Sequence, residues 1–295
     1  MNELDFEWRA NGGVARIHRF SHLRGQADRA VAAGKAVRIL PGVVSPTSVA
    51  NDPRVRIKAV HMWHRDAVLI GKAALVMQGL KPPGQHLHDL DAVKEVEAYS
   101  RTRSIEREGI RVHRWRVPRR YVTERYGMWV VEPEVSVLLL ALDGDWAWVC
   151  EALRQGLVSP ESCRASRSSL SWRFSRRQIS SALADINLRS WSIPELEFGR
   201  LMRAVGITFE AEKVAVEIDG RAIHGTIDGY ENTMMRSANL DRSGWKILHT
   251  TPTMIRQHPQ FVLDWLASHL HRRHRPRTTF PEHILRQTIA GIVPA

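Results

Sequence analysis

The most regular alternation of apolar and polar positions runs from Lys213 to Gly220. Two valines and an isoleucine share one face of the predicted strand, and Glu217 and Asp219 share the other. At a rise of about 3.3 Å per residue, the two carboxylates lie roughly 6.6 Å apart along that face. Because burying unpaired carboxylates is costly, the pattern favours a divalent cation, cationic partners or exposure at the strand end. A strand with a merely solvated outer face is the alternative.

Residues 1–48 combine helical spacing with two short extended runs. Apolar positions repeat at helical spacing from Phe20 to Ala33, and Gly34 follows as a C-terminal cap would. The runs Lys35 to Ile39 and Val43 to Val44 flank a proline and glycine turn. This order predicts a winged helix-turn-helix, in which the recognition helix contacts the edges of the bases and the hairpin contacts the phosphates. A small helical cap with solvated arginines is the alternative. The candidate nucleic-acid-binding residues are Arg24, Gln26, Arg29, Lys35 and Arg38.

The pattern along residues 49–185 predicts a mixed α/β region whose segments are punctuated by proline and glycine. The predicted helices are Arg54 to Trp63, Gly71 to Gly79, Glu134 to Leu142 and Trp146 to Gln155, and Ser159-Pro160-Glu161 is a further predicted helix start. The predicted strands are Ala67 to Ile70, Val93 to Tyr99, Ile110 to Val117 and Met128 to Val131.

Along residues 186–275 predicted helices alternate with strands, which favours an α/β layer. Ser192 and Glu195 have the spacing of a capping box, which by itself explains this glutamate. The predicted elements after that cap are a helix to Val205, the Glu217 strand, a helix from Tyr230 to Ser243, a strand from Trp245 to His249 and a helix from Pro259 to Leu270. A basic run begins at His271, and residues 276–295 are expected to form a flexible tail.

The net positive charge of the chain indicates what kind of partner to expect. The chain of 295 residues carries 43 Lys and Arg against 31 Asp and Glu, a net charge of +12. A basic surface attracts phosphates and releases their counterions, so nucleic acid is the expected partner. No stretch approaches the roughly 20 apolar residues that span a bilayer, so no membrane partner is expected. The acidic start lacks a signal-peptide pattern, and Cys150 and Cys163 form no metal or disulfide motif, which together indicate the cytoplasm.

A specific resemblance rests on short motifs in the last part of the chain. They are Ser192 with Glu195, Val214-Ala215-Val216-Glu217-Ile218-Asp219-Gly220-Arg221, His224, Arg236 on its predicted helix, and Gly244-Trp245-Lys246-Ile247-Leu248. In this order they resemble endonuclease-like domains related to very-short-patch-repair endonucleases, within the PD-(D/E)XK restriction-nuclease superfamily. The front of the chain resembles AbiEi-type antitoxins at residues 34–44, 66–80 and 146–158.

The resemblance implies a site for magnesium-dependent phosphodiester cleavage. Glu217 would bind Mg²⁺ together with the Ile218 carbonyl, and Glu195 would lie beside the site on its helix. Asp219 stands where many members of the superfamily have a lysine, and His224 would lie near the scissile phosphate. The implied catalytic residues are Glu195, Glu217, Asp219 and His224, the implied metal ligands are Glu217 and Asp219, and the implied further nucleic-acid contact is Arg236.

The chain departs from that family at two places. Relatives carry a strand with a metal-binding aspartate before the Glu217 strand, whereas here Ile207-Thr208-Phe209 runs almost directly into Glu210. Relatives also commonly carry an acidic residue near the position of Thr233. Losing one acid leaves the coordination of the metal ion incomplete and part of the ion's positive charge uncompensated. A catalytically degenerate site is therefore the alternative to an active one.

The sequence as a whole predicts an α+β multidomain protein that binds DNA. Its expected parts are a winged helix-turn-helix (1–48), a mixed α/β, AbiEi-like middle region (49–185), a restriction-endonuclease-like α/β domain (186–275) and the tail (276–295). The expected function is metal-dependent cleavage of DNA with Mg²⁺ as cofactor. The alternative is an antitoxin-like transcriptional regulator, for which a cognate toxin is a possible partner.

Overall fold

A computed structural model of the protein describes residues 2–17, 21–84, 89–115, 117–171, 173–205, 214–218, 235, 238, 242, 244–270, 285, 287, 289 and 290. The chain is mixed α+β, as the sequence predicts, and divides into two compact units, Met1–Leu183 and Ala184–Ala295. The predicted 1–48 module and nearly all of the 49–185 region lie in the first unit. The predicted 186–275 domain lies in the second.

The N-terminal segment forms a small three-stranded sheet with two helices. Its elements are α1 (Glu3–Ala10), β1 (Ala15–Arg16), α2 (Ser21–Ala32), β2 (Ala36–Leu40) and β3 (Val43–Pro46). The strands are antiparallel in the order β1-β3-β2. The helix and the hairpin that the hydrophobic pattern predicts between Phe20 and Val44 are therefore both present.

Local signals set the ends of these two helices. Gly34 follows α2 with a φ of +69°, a conformation that glycine adopts without strain. The Lys35 N–H donates to the Ala30 carbonyl at 2.9 Å, so the predicted C-terminal cap is confirmed. At the start of α1, the Asp5 N–H donates to the Asn2 side chain at 2.8 Å within a capping box.

A shared core joins the two helices to the sheet. Helical spacing places Leu23 and Ala27 of α2 on one side, and both are buried. They pack with Leu4 of α1, with Val44 of β3, and with Ala15 of β1 and Ile17 just after it. This packing leaves the opposite side of α2 exposed.

The middle of the chain builds a six-stranded sheet. Its elements are α3 (Pro53–Trp63), β4 (Val68–Ile70), α4 (Gly71–Met77), β5 (Val96–Ser100), β6 (Ile105–Arg107), β7 (Ile110–Arg114), β8 (Val122–Arg125) and β9 (Met128–Val131). The strand order is β6-β7-β5-β4-β9-β8. The pairs β5 with β7 and β4 with β9 are parallel, and the other pairs are antiparallel.

Helices follow the sheet in the order α5 (Pro133–Leu142), α6 (Trp146–Arg154), α7 (Pro160–Ala165) and α8 (Arg176–Ile186). α5 is buried on every side from Val135 to Ala141, as expected for a helix that is apolar all round. α5 has ten residues. In the part of the chain that the structure describes, no helix is long and apolar enough to cross a membrane.

Both cysteines are buried in the first unit, and neither forms a disulfide. Burial raises the pKa of the Cys163 thiol from 9.0 to about 12, with the Glu134 and Glu161 carboxylates adding to the rise. Because the raised pKa belongs to the folded state, the stability that Cys163 contributes is present below pH 9.0 and is lost as the pH rises toward 12. A thiolate is the reactive form, so a buried neutral thiol is inert.

We therefore expect neither Cys150 nor Cys163 to react with Ellman's reagent in the folded chain at neutral pH. Both should react at once in urea, where the thiols are exposed. The measurement is absorbance of the released thiolate with and without denaturant. Rapid labelling of the folded chain would contradict the burial of these side chains.

The second unit packs helices against a parallel strand pair. Its elements are α9 (Ile193–Val205), β10 (Val214–Ile218), β11 (Lys246–Thr250), α10 (Pro252–Gln257) and α11 (Pro259–His269). The core contains Leu201 of α9, Val214 of β10, Leu248 of β11 and Leu266 of α11. Val216 and Ile218 pack against this core, so the predicted apolar face of the Glu217 strand is confirmed.

Four elements were not predicted by the hydrophobic pattern, namely β6, β8, α8 and α10. β6 and β8 are the two edge strands of the six-stranded sheet, and most of their residues are partly or fully exposed. An edge strand that is exposed to solvent on both faces shows no alternation of apolar and polar residues, which explains why the sequence pattern did not predict β6 and β8. The predicted strand from Val93 is also corrected, because β5 begins only at Val96, after a 3-10 turn at Asp89–Ala92.

Candidate functional site

Two arginines lie on the exposed side of α2, and a lysine follows at the start of the hairpin. Arg24 and Arg29 are exposed, whereas Leu23 and Ala27 of the same helix are buried. Lys35 is exposed immediately after the helix. The fold thus presents three of the predicted nucleic-acid-binding residues on one helix and the turn that follows it.

The other two predicted residues have partners within the module. The Gln26 side-chain carbonyl accepts from the Leu4 N–H at 3.4 Å, and its amide donates to Glu3 at 3.5 Å. Gln26 therefore ties α2 to the start of α1. Arg38 of β2 forms an ion pair with Asp28 of α2, and both side chains are about half exposed. This pair reduces the positive charge that Arg38 offers to a partner.

The positive charge of the chain is concentrated in the first unit. Residues Met1–Leu183 hold 29 Lys and Arg against 19 Asp and Glu, a net charge of +10. The remaining residues hold 14 against 12, a net charge of +2. A polyanion would therefore be attracted mainly to the unit that contains α2.

In the second unit, Glu217 lies directly opposite His249. β10 and β11 are parallel, and their register pairs Glu217 with His249. The Glu217 Oε2 and His249 Nδ1 atoms are 3.7 Å apart. The Glu217 side chain is 19% exposed and the His249 side chain 43% exposed.

His249 was not among the residues predicted for the site. The sequence contains one usable signal, because the strand from Trp245 to His249 was expected. Its register against β10 was the missing information. Only that register decides whether position 249 faces Glu217 or a neighbouring residue.

Glu195 is held at the start of α9. Its carboxylate accepts from the Trp191 N–H at 2.9 Å and from the Ser192 hydroxyl at 3.0 Å. The Glu195 N–H is 3.4 Å from the Ser192 oxygen. These are the contacts of the predicted capping arrangement, and they account for Glu195 without a catalytic role.

The remaining residues implied by the resemblance cannot be placed. Asp219, His224 and Arg236 lie outside the described residues, as do Glu210 and Thr233. Within the described ranges, no group of three His, Cys, Asp or Glu side chains is arranged to hold a metal ion. Glu217 supplies one carboxylate, which is less than the oxygen-rich octahedral site that Mg²⁺ requires. The described residues alone therefore do not fit Mg²⁺.

Acids that are mostly buried form ion pairs with arginines around α9 in the second unit. Asp185 accepts from Arg200 Nε at 2.8 Å and from Arg203 Nη2 at 2.5 Å, and both Asp185 and Arg200 are 7% exposed. Arg256 Nε of α10 lies 2.8 Å from both carboxylate oxygens of Glu197. These acids have structural partners, so burial of an acid on α9 does not by itself indicate catalysis.

Comparison of the chain with models of protein families, with curated proteins and with solved structures gives no match.

Proposed function

We propose that the chain is a DNA-binding protein and that α2 with its following hairpin is the DNA-binding element. The observation that carries the proposal is the exposure of Arg24 and Arg29 on α2, whose other side is buried, and of Lys35 just after that helix. Arginine donates to phosphates and to base edges with several N–H groups, so a helix of this kind suits the major groove.

The charge distribution supports the same assignment. The first unit has a net charge of +10, and α2 belongs to it. Such a charge raises the rate and affinity of binding to a duplex through release of counterions. Gln26 is not part of the proposed contact set, because its side chain ties α2 to α1.

The test is a double variant, Arg24→Ala with Arg29→Ala, compared with wild type in binding to a mixed-sequence DNA duplex. Removing two phosphate or base contacts should weaken binding and reduce the log–log salt slope by about 2. The readout is fluorescence anisotropy of a labelled duplex at several salt concentrations.

The matched control is Arg107→Ala with Arg125→Ala. Both arginines are exposed on strands of the six-stranded sheet, and the control loses the same net charge. Its salt slope should stay near that of wild type. Equal losses in the two double variants would mean that overall charge, rather than α2, determines the affinity.

A second candidate function is metal-dependent cleavage of the bound DNA. The observation that favours it is the Glu217 and His249 pair on adjacent parallel strands, with both side chains partly exposed. A carboxylate and an imidazole are both groups that bind metals or transfer protons. If this site is degenerate, the protein is instead a DNA-binding regulator of the antitoxin-like type.

A further inference from the structure

Two adjoining cavities of the first unit lie where parallel strands of the six-stranded sheet end. β5 and β7 are parallel and finish together, with Ser100 paired to Arg114. The next residues along the chain, Arg101 and Trp115, line both cavities. Ligands of open α/β sheets bind beyond the carboxyl ends of such strands, because the following loops diverge there.

The first cavity is aromatic and has a volume of about 250 Å³. Tyr99, Trp115 and Trp129 line it, and the Tyr99 and Trp115 rings meet edge to face with centroids 4.0 Å apart. Trp129 is only partly buried, so its ring is accessible for stacking. Asp66 is the carboxylate among the described lining residues and can accept a hydrogen bond from an amino group.

The second cavity is cationic and has a volume of about 610 Å³, within the range of about 300–1,000 Å³ typical of small-molecule sites. Arg101 and Arg114 line it together with three serines, Ser168, Ser169 and Ser171. Both arginines are exposed to solvent. The described residues around this cavity include no carboxylate. Guanidinium and hydroxyl groups donate hydrogen bonds to phosphate oxygens, and no carboxylate among these residues competes for them, so the cavity favours binding of a phosphate group.

Hydrogen bonds hold two of the three serines, Ser168 and Ser171. The Ser168 hydroxyl lies 3.0 Å from the Tyr121 hydroxyl, and the Ser171 hydroxyl donates to the Ser168 carbonyl at 3.0 Å. These bonds fix the turn that carries the serines against the 3-10 turn of Tyr121. The wall of the cavity facing Arg101 and Arg114 is therefore preformed.

We infer that the two cavities together bind a nucleotide. The base stacks in the aromatic cavity against Trp129, and the phosphate lies between Arg101 and Arg114 in the cationic cavity. Arg119, which lines the aromatic cavity, adds a further cation at its mouth. This site is separate from α2 and does not depend on duplex binding.

The experiment is calorimetric titration of the full chain with AMP, GMP, CMP and UMP, each compared with its nucleoside and with inorganic phosphate. At least one nucleotide should bind more tightly than both its nucleoside and phosphate. Arg101→Ala with Arg114→Ala should weaken that binding about tenfold or more, since each arginine supplies a charge-assisted hydrogen bond. Trp129→Ala should weaken nucleotide binding and leave phosphate binding unchanged.

The control is again Arg107→Ala with Arg125→Ala, which should bind nucleotide as wild type does. A second titration with a single-stranded oligonucleotide shows whether the site takes a free mononucleotide or a nucleotide within a strand. If it binds with the same variant pattern while no mononucleotide binds, the site takes a nucleotide within a strand, and the inference stands. Phosphate binding as tight as nucleotide binding, or no difference between the variants and the control, overturns it. The Arg24 and Arg29 double variant should leave the mononucleotide titration unchanged, so that a failure of duplex binding and a failure of nucleotide binding are distinguishable.

Discussion

The wild-type chain is expected to nick supercoiled plasmid in Mg²⁺ or Mn²⁺, and the Glu217→Ala variant is expected to have lost this nicking. Glu217 faces His249 at 3.7 Å across the parallel strands β10 and β11. Loss of a group that acts at the reacting atoms costs on the order of 100-fold or more in rate. The measurement is the initial rate of conversion of supercoiled to open circular plasmid on an agarose gel, with EDTA as the blank.

Two further variants separate the roles of the acids and the histidine. His249→Ala should slow nicking by about 10-fold to 100-fold, the range for a group that positions or supports a ligand. Glu195→Gln should nick as wild type does, because the Glu195 carboxylate is occupied by the Trp191 and Ser192 contacts. A gel shift on the same plasmid shows whether each variant still binds DNA.

Plasmid binding without nicking by the wild-type chain would remove the nuclease candidate and leave DNA binding intact. The chain would then fit the antitoxin-like regulator. Nicking that persists in Glu217→Ala would place the chemistry elsewhere or point to a contaminating nuclease. If Glu195→Gln lost as much nicking as Glu217→Ala, Glu195 would have a role in catalysis that its capping contacts do not explain.

Replacing Asp185 by alanine is expected to destabilise the second unit by about 3–5 kcal/mol. Asp185 bonds two arginines, and one of them, Arg200, is 7% exposed. Removing the acid takes the Asp185 countercharge away from the buried Arg200 guanidinium, and water cannot easily replace the lost bonds. The measurement is the free energy of unfolding in urea, from the fluorescence and the circular dichroism of the chain.

Asp264→Ala is the matched control, since Asp264 is exposed on α11 and bonds only Gln260 among its described neighbours. Its effect should stay within about 0.5 kcal/mol. A triple variant, Asp185→Leu with Arg200→Met and Arg203→Met, should recover most of the lost stability, because it removes the buried charges together. If Asp185→Ala cost no more than Asp264→Ala, the buried ion pairs would be energetically unimportant.

Elements with strong local signals were predictable. The strand Met128 to Val131 matches β9 residue for residue, and the apolar run from Glu134 to Leu142 lies within α5. The predicted Ser159-Pro160 helix start is also present, with Ser159 as the capping residue of α7. In each case the residue propensities, and for α7 the capping residue, agree within one short segment, so no distant contact is needed to decide the structure.

The partners of the candidate residues were not predictable. Gln26 has the position of a base-reading residue on α2, yet its side chain bonds Leu4 and Glu3, more than twenty positions earlier. Glu195 could be a catalytic acid by resemblance, and its capping contacts alone account for it in the structure. Side chains of one residue type serve different purposes according to what packs beside them.

By itself the sequence determined the α+β class, the basic character of the first half, the helix and hairpin after Phe20 and the strand that carries Glu217. Only the tertiary structure decided that Glu217 faces His249, that Asp185 bonds Arg200, and that Arg101 and Trp115 join two cavities. The reason is that local propensity and periodicity act over a few residues, whereas register and packing depend on elements far apart in the chain.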